Sequence, residues 1–134
     1  MIKKLWSIAP VSPDFGLLLL RFISGFLIIT HGWPKLQNFA ERASSFPDPL
    51  NIGSAPSLSI TVFAEFFCGI LLCIGLFTRI SLLFLVVVMA VIVLFIHGDD
   101  PLSKKELPIM LMATYITLYF TGPGRYSVDA ALKR

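Results

Sequence analysis

The stretch SLLFLVVVMAVIVLFI, residues 81–96, carries no charged side chain. A helix that crosses a bilayer needs about 17–25 predominantly apolar residues, and with its neighbours this stretch approaches that length. The composition of the whole chain also suits a lipid bilayer, because 56% of the 134 residues are hydrophobic and 14% are charged. Soluble domains carry about 25% charged residues. The sequence therefore predicts a single-domain integral membrane protein whose first partner is the lipid bilayer.

Four apolar segments predict the fold. They cover approximately residues 14–31, 57–77, 80–96 and 106–121. Only Thr78 and Arg79 separate the second segment from the third, so these two helices must be antiparallel neighbours. The expected fold is all-α, an integral membrane four-helix bundle with antiparallel up-down topology. The long loop 32–56 follows the first segment, and the sequence leaves open whether this loop covers a site.

The basic residues predict the orientation in the membrane. An even number of spans puts both termini on one side, which then holds six Lys or Arg residues. The opposite loops hold four, namely Lys35, Arg42, Lys104 and Lys105. The positive-inside rule therefore places both termini in the cytoplasm and the chain in the cytoplasmic (inner) membrane. The net charge of +3 is not clustered, which argues against a nucleic-acid partner.

Two ionisable residues fall inside the predicted spans, where such groups need a partner or a function. Arg21 lies in the first segment and Glu65 in the second. At the helical rise of 1.5 Å per residue their depths differ by about 8 Å, which two extended side chains can bridge. We expect either a buried ion pair that holds two helices in register, or a proton or ligand site in which Arg21 keeps Glu65 ionised.

Further ionisable residues gather at the outer ends of the predicted helices. His31 and His97 end the first and third segments, and Glu106 begins the fourth. Together with Glu65, each of the four helices contributes one side chain to the outer half of the bundle, as in many metal and cofactor sites. Each residue also has a structural alternative. The histidines can cap helix C-termini, Glu106 can complete a capping box, and Lys35 can extend to the interface.

Three chemistries suit this set of side chains. Two histidines on different helices could ligate a haem iron. The same histidines and the two carboxylates could instead hold a non-haem metal. In a quinone site, His31 and Lys35 would donate to the carbonyl oxygens while Glu65 moves the proton, with Arg21 beneath. The residue types alone leave these alternatives open.

The C-terminal stretch GPGRYSVD, residues 122–129, predicts an anchoring structure. Its glycines permit a turn that ends the fourth helix. Ser127 can cap a short tail helix, and Asp129 is available to pair with Arg125.

Several stretches of the chain together resemble a known family. They are LLLRFISGFLIITHGWPKL (18–36), FAEFFCGILLCIGLFTR (63–79) and GPGRYSVD (122–129), with His97 and Glu106 between the last two. Over approximately residues 15–130 the chain is similar to the DoxX family of small four-span membrane proteins. The GPGR-x-S-x-D ending is the most distinctive part of this likeness.

The resemblance implies a connection to quinone chemistry. The family takes its name from a subunit associated with archaeal quinol oxidase and thiosulfate:quinone oxidoreductase, and other members are tied to redox-stress and thiol-handling systems. The leading hypothesis is therefore a quinone-linked redox subunit that serves a soluble or membrane oxidoreductase partner. Whether the chain is itself an enzyme stays open. A non-catalytic membrane anchor or assembly scaffold is the alternative, and a small transporter would require a homo-oligomer.

Overall fold

The computed structural model describes residues 1–133, and this part of the chain is helical without any β-strand. The helices are α1 (Ile2–Leu5), α2 (Pro13–Gln37), α3 (Phe39–Arg42), α4 (Ser54–Ile74), α5 (Thr78–Ile96), α6 (Glu106–Thr121) and α7 (Val128–Leu132), with a 3₁₀ turn at Leu102–Lys104. Among the described residues, α2, α4 and α5 are long and apolar enough to cross a membrane. The chain thus has the predicted all-α membrane character, while α6 is shorter, at 16 residues.

Helix α2 extends well beyond its predicted end at residue 31. It passes through Pro34 and ends at Gln37. A proline inside a helix removes a backbone donor and crowds the carbonyl four residues before it. Here the following turn is nevertheless held, because Asn38 donates to the Pro34 carbonyl from both its backbone nitrogen (3.0 Å) and its side chain (3.1 Å). His31 therefore lies inside the helix, so its interpretation as a C-terminal cap is wrong.

Glycines let α2 and α4 pack closely. A Cβ atom on Gly25 would lie 2.7 Å from Cys73 Sγ, and one on Gly69 would lie 2.8 Å from Ile29 Cγ1. Neither position has room for a larger residue, which is typical of close helix contacts in membranes. The outward faces of the long helices carry exposed large apolar side chains such as Phe22, which suit contact with lipid.

Arg21 does not form the predicted ion pair with Glu65. Its side chain is fully buried, and Nη1 donates to the carbonyls of Leu72 (3.0 Å) and Cys73 (2.9 Å) while Nη2 donates to that of Tyr126 (2.6 Å). The last carbonyls of a helix have no partner within the helix, and a cation is favourable there. The end of α4 and the C-terminal segment thus supply acceptors to both Nη atoms, while the buried Nε has no hydrogen-bond partner among the described residues. Arg21 therefore joins the end of α4 to the C-terminal segment.

The C-terminal segment locks the turn between α4 and α5. Asp129 accepts hydrogen bonds from the backbone nitrogens of Phe77 (2.9 Å) and Thr78 (2.9 Å), the residues that begin α5. Ser127 caps α7 by accepting from Ala130 N at 3.2 Å, as predicted. The predicted pairing of Asp129 with Arg125 is wrong, because the ion pairs among the described residues are Lys35–Glu65 and His97–Asp100, and the Asp129 carboxylate binds backbone nitrogens instead.

Candidate functional site

A cavity of about 440 Å³ lies among α2, α4, α5, the start of α6 and the loop that precedes α4. Its walls are mostly aliphatic and proline side chains, among which a few polar groups stand. Ligand pockets commonly have about 300–1,000 Å³ and this balance of apolar walls with few polar groups. The cavity is therefore the candidate site of the molecule.

The loop before α4 covers this cavity. Phe46, Leu50 and Ile52 line it. Asp48 fixes the loop, because its carboxylate accepts from Ile52 N (2.9 Å), Gly53 N (2.8 Å) and Ser57 Oγ (2.9 Å). Although desolvation opposes ionisation, these three hydrogen bonds lower the pKa of Asp48 below its ordinary value. The question that the sequence left open is thus answered, since the loop lines the site.

An ion pair between Lys35 and Glu65 forms part of the cavity wall. Lys35 Nζ lies 2.6 Å from Glu65 Oε2, and the Glu65 side chain is 2% exposed. Gly32 makes the approach possible, because a Cβ atom there would lie 2.9 Å from Glu65 Cβ. The ion-pair partner of Glu65 is thus Lys35, where the sequence predicted Arg21. A buried pair of this kind is held tightly, since either member alone would be costly in apolar surroundings.

Glu65 lies on a π-helical segment of α4, Phe63–Cys68. Such wide turns interrupt the ordinary helix pattern and occur frequently at functional sites. On the same helix, Ser57 and Thr61 also line the cavity. Their spacing of four residues puts them on one face with Glu65, so α4 presents a polar stripe to an otherwise apolar space.

Both histidines reach the cavity. His31 stands four residues before Lys35 on α2, on the same helix face, and lines the cavity. His97 follows α5 directly, and its Nδ1 lies 2.7 Å from Asp100 Oδ2. The hydrogen bond from His97 is the main cause that lowers the pKa of Asp100. The sequence placed both histidines at the site, but Asp100 was missed although its i, i+3 spacing to His97 was visible.

Two predicted site residues lie elsewhere. Arg21 is hydrogen-bonded at the far end of α4, so its proposed catalytic role beneath the site is wrong. Glu106 begins α6, is exposed and is absent from the cavity lining, whereas Lys104 and Pro108 on either side of it line the cavity. The sequence analysis did not predict that Lys104 lines the cavity, nor that Asp48 holds the loop before α4 in place.

The structure does not assemble the metal set of His31, His97, Glu65 and Glu106. Across residues 1–133, no three His, Cys, Asp or Glu side chains come close enough together to hold a metal ion. The side chains present are instead suited to an amphipathic organic molecule. An ammonium and imidazoles can bind carbonyl or anionic oxygens, while the aliphatic walls bind a hydrophobic body.

These features define a small helical membrane protein with an apolar cavity and a buried Lys–Glu pair at its wall. The family model for DoxX matches residues 16–98, more than half of the chain. The chain belongs to the DoxX family, as its sequence motifs predicted.

Similar proteins extend over nearly the whole length. An uncharacterized protein of Haemophilus influenzae is 29% identical over 132 residues, covering 92% of this chain and 87% of its own length. The inner membrane protein YqjF of Escherichia coli is 26% identical over 125 residues, covering 90% of this chain and 95% of its own length. No solved structure matches the chain. The apolar helices and these likenesses identify an inner membrane protein.

Proposed function

We propose that this protein is a quinone-linked redox subunit whose cavity binds the quinone headgroup beside the Lys35–Glu65 pair. The observation that carries the proposal is this pair, at 2.6 Å, in the wall of an apolar cavity. In the proposed arrangement α6 is the fourth span of an antiparallel bundle, both termini are cytoplasmic, and the cavity lies in the outer half of the membrane.

The donor set suits a quinone. Lys35 has three N–H donors and uses one on Glu65, which leaves donors for a carbonyl oxygen in the cavity. His31, one turn away on the same face, offers a second donor or a proton carrier. Aliphatic side chains enclose the ring. The family resemblance, with its quinol oxidase and thiosulfate:quinone oxidoreductase associations, agrees with this ligand.

The pair also suits proton handling. A bound quinone supplies two-electron redox chemistry, in which two electrons and two protons convert it to the quinol. The electrons would come from an oxidoreductase partner, in keeping with the proposed role as a redox subunit. Glu65, buried and charge-paired, can release or take up a proton at the ring oxygen, and Lys35 can stabilise the charge that develops there.

A quinone titration of the purified protein tests the proposal. The Trp33 ring lies 5.5 Å from that of Phe66, the residue after Glu65. In a Trp6→Phe background, which removes the other tryptophan, the fluorescence of Trp33 should report binding next to Glu65. We expect saturable quenching by a benzoquinone. Glu65→Gln should weaken the affinity by about tenfold or more, because it removes the carboxylate that positions the Lys35 ammonium toward the quinone carbonyl. Hydrogen bonds from charged donors contribute about 1.5–3 kcal/mol, and 1.4 kcal/mol is tenfold.

Glu41→Gln is the matched control, since Glu41 is an exposed residue of α3 outside the cavity lining. It should bind as the wild type does. Equal affinity in the wild type and Glu65→Gln, or no saturable binding at all, would refute the quinone site.

The alternative is a non-catalytic membrane anchor or assembly scaffold. The hydrogen bonds of Arg21 support this alternative. They join the end of α4 to the C-terminal segment, so at least one buried charge of the molecule has a structural role. Loss of one member of the Lys35–Glu65 pair should lower stability under either proposal, so quinone binding by the wild type distinguishes them: a scaffold should show no saturable binding.

A further inference from the structure

Helices α4 and α5 form a seam that an aromatic contact closes about halfway along α4. The helices are antiparallel neighbours joined by residues 75–77. The rings of Phe63 on α4 and Phe84 on α5 meet edge to face, with centroids 5.1 Å apart. Neither residue lines the cavity. Toward the turn, therefore, the seam is closed by aromatic packing.

Three residues farther from the turn, the seam has a different character. Ile60 on α4 and Val87 on α5 both line the cavity. Both are also highly exposed, at 47% and 59%. The other exposed large apolar residues of the lining lie in the loop or at helix ends, namely Leu50, Ile52, Ile96 and Leu107. Ile60 and Val87 therefore mark a place where the cavity meets the surface between two helices. Because the two helices are antiparallel, Ile60 and Val87 face each other across the seam just beyond the Phe63–Phe84 contact.

The environment of this opening is apolar. The exposed faces of α4 and α5 consist of large hydrophobic side chains, and both helices are long and apolar enough to span a membrane. The surface around Ile60 and Val87 therefore meets lipid hydrocarbon, and what enters there must be soluble in it.

We propose that the seam at Ile60 and Val87 is a lateral portal through which a ligand with a long apolar tail enters from the bilayer. The inference rests on the proposed quinone function and deepens it by naming the ligand class. A cavity of about 440 Å³ holds a drug-sized headgroup, and an isoprenoid or alkyl tail of tens of carbons must extend outside it. The tail leaves between Ile60 and Val87, with the Phe63–Phe84 contact as the lower edge of the portal.

The test uses a variant that narrows the portal and adds no tryptophan, so the fluorescence readout is unchanged. Val87→Phe puts a larger side chain at the opening, at an exposed position where the core is not disturbed. Leu83→Phe is the matched control, because Leu83 lies one turn away on the exposed face of α5, with 51% exposure, and outside the cavity lining. Each protein in nanodiscs is titrated by tryptophan quenching with one benzoquinone headgroup in two forms, tailless and carrying a long isoprenoid tail.

We expect Val87→Phe to lower the ratio of tailed to tailless affinity by about tenfold, and Leu83→Phe to leave that ratio at the wild-type value. An unchanged ratio in Val87→Phe, or an equal fall in both variants, would overturn the portal while leaving the quinone site intact. Wild-type protein that binds neither form would overturn the proposed function and this inference with it.

Discussion

Removing one member of the Lys35–Glu65 pair should destabilise the protein far more than removing both. In Lys35→Met the Glu65 carboxylate, 2% exposed, loses the ammonium at 2.6 Å. Breaking a buried pair in this way costs about 3–5 kcal/mol. Protonating an ordinary glutamate at pH 7 costs about 4 kcal/mol, which sets a ceiling because the unpaired side chain can take up a proton. The 20% exposure of Lys35 lets water relieve part of the cost, so we expect a loss of about 2–4 kcal/mol.

The double variant Lys35→Met/Glu65→Leu replaces the pair with apolar side chains and should regain most of this stability, since such replacements are often neutral or better. The free energy of unfolding is measured by denaturant titration in detergent micelles for the wild type, both single variants and the double variant. A coupling energy below about 0.5 kcal/mol in this cycle would show that the pair is in water-like surroundings, and the reasoning about a buried site would fail.

Two further predictions concern the end of the molecule away from the cavity. Arg21→Met leaves three carbonyls, those of Leu72, Cys73 and Tyr126, without their donor, so we expect a stability loss of about 3 kcal/mol or more. Quinone affinity of the folded fraction should be unchanged, and a selective loss of binding would contradict the structural role. Hydrogen bonds from the start of α5 lower the pKa of Asp129 below the ordinary 3.8 despite opposing desolvation. The stability that Asp129 contributes is therefore present above that value and lost as the pH falls through the folded-state pKa. The wild type should be about 1 kcal/mol more stable than Asp129→Ala at pH 7, and this difference should decline below about pH 4 in thermal unfolding. A difference that persists at pH 2 would contradict the capping role.

The sequence predicted the helical membrane class because charge-free runs and turn residues are local features. It also identified most of the ionisable residues that line the cavity, since polar groups in apolar segments are conspicuous. The pairing was wrong because the depths counted from the predicted span ends were wrong. Glu65 is level with Gly32, which lies eleven residues along α2 from Arg21, or about 16 Å at the helical rise. Arg21 lies instead beside carbonyls at the end of α4 and does not meet the carboxylate.

The role of Lys35 depended on where the first helix ends. With an end at residue 31, Lys35 belongs to a loop and is interpreted as an interfacial side chain. Because α2 continues through Pro34 to Gln37, Lys35 stands one turn after His31 on the same face and reaches Glu65. The covering loop depends on Asp48 bonds to residues four, five and nine positions away. Asp before a Gly-containing turn is a recognisable pattern, but the closure of that loop over a cavity is tertiary information.

The central claim is that a quinone headgroup occupies the cavity beside Lys35 and Glu65. Photolabelling with an azido-benzoquinone in nanodiscs, followed by peptide mapping, tests it most directly. The account predicts labels on cavity-lining segments of α2, α4 and α5, within residues 28–35, 57–65 and 87–97, and their disappearance when excess tailless benzoquinone competes. Labels confined to lipid-facing residues outside these segments, or labels that competition does not remove, would contradict it.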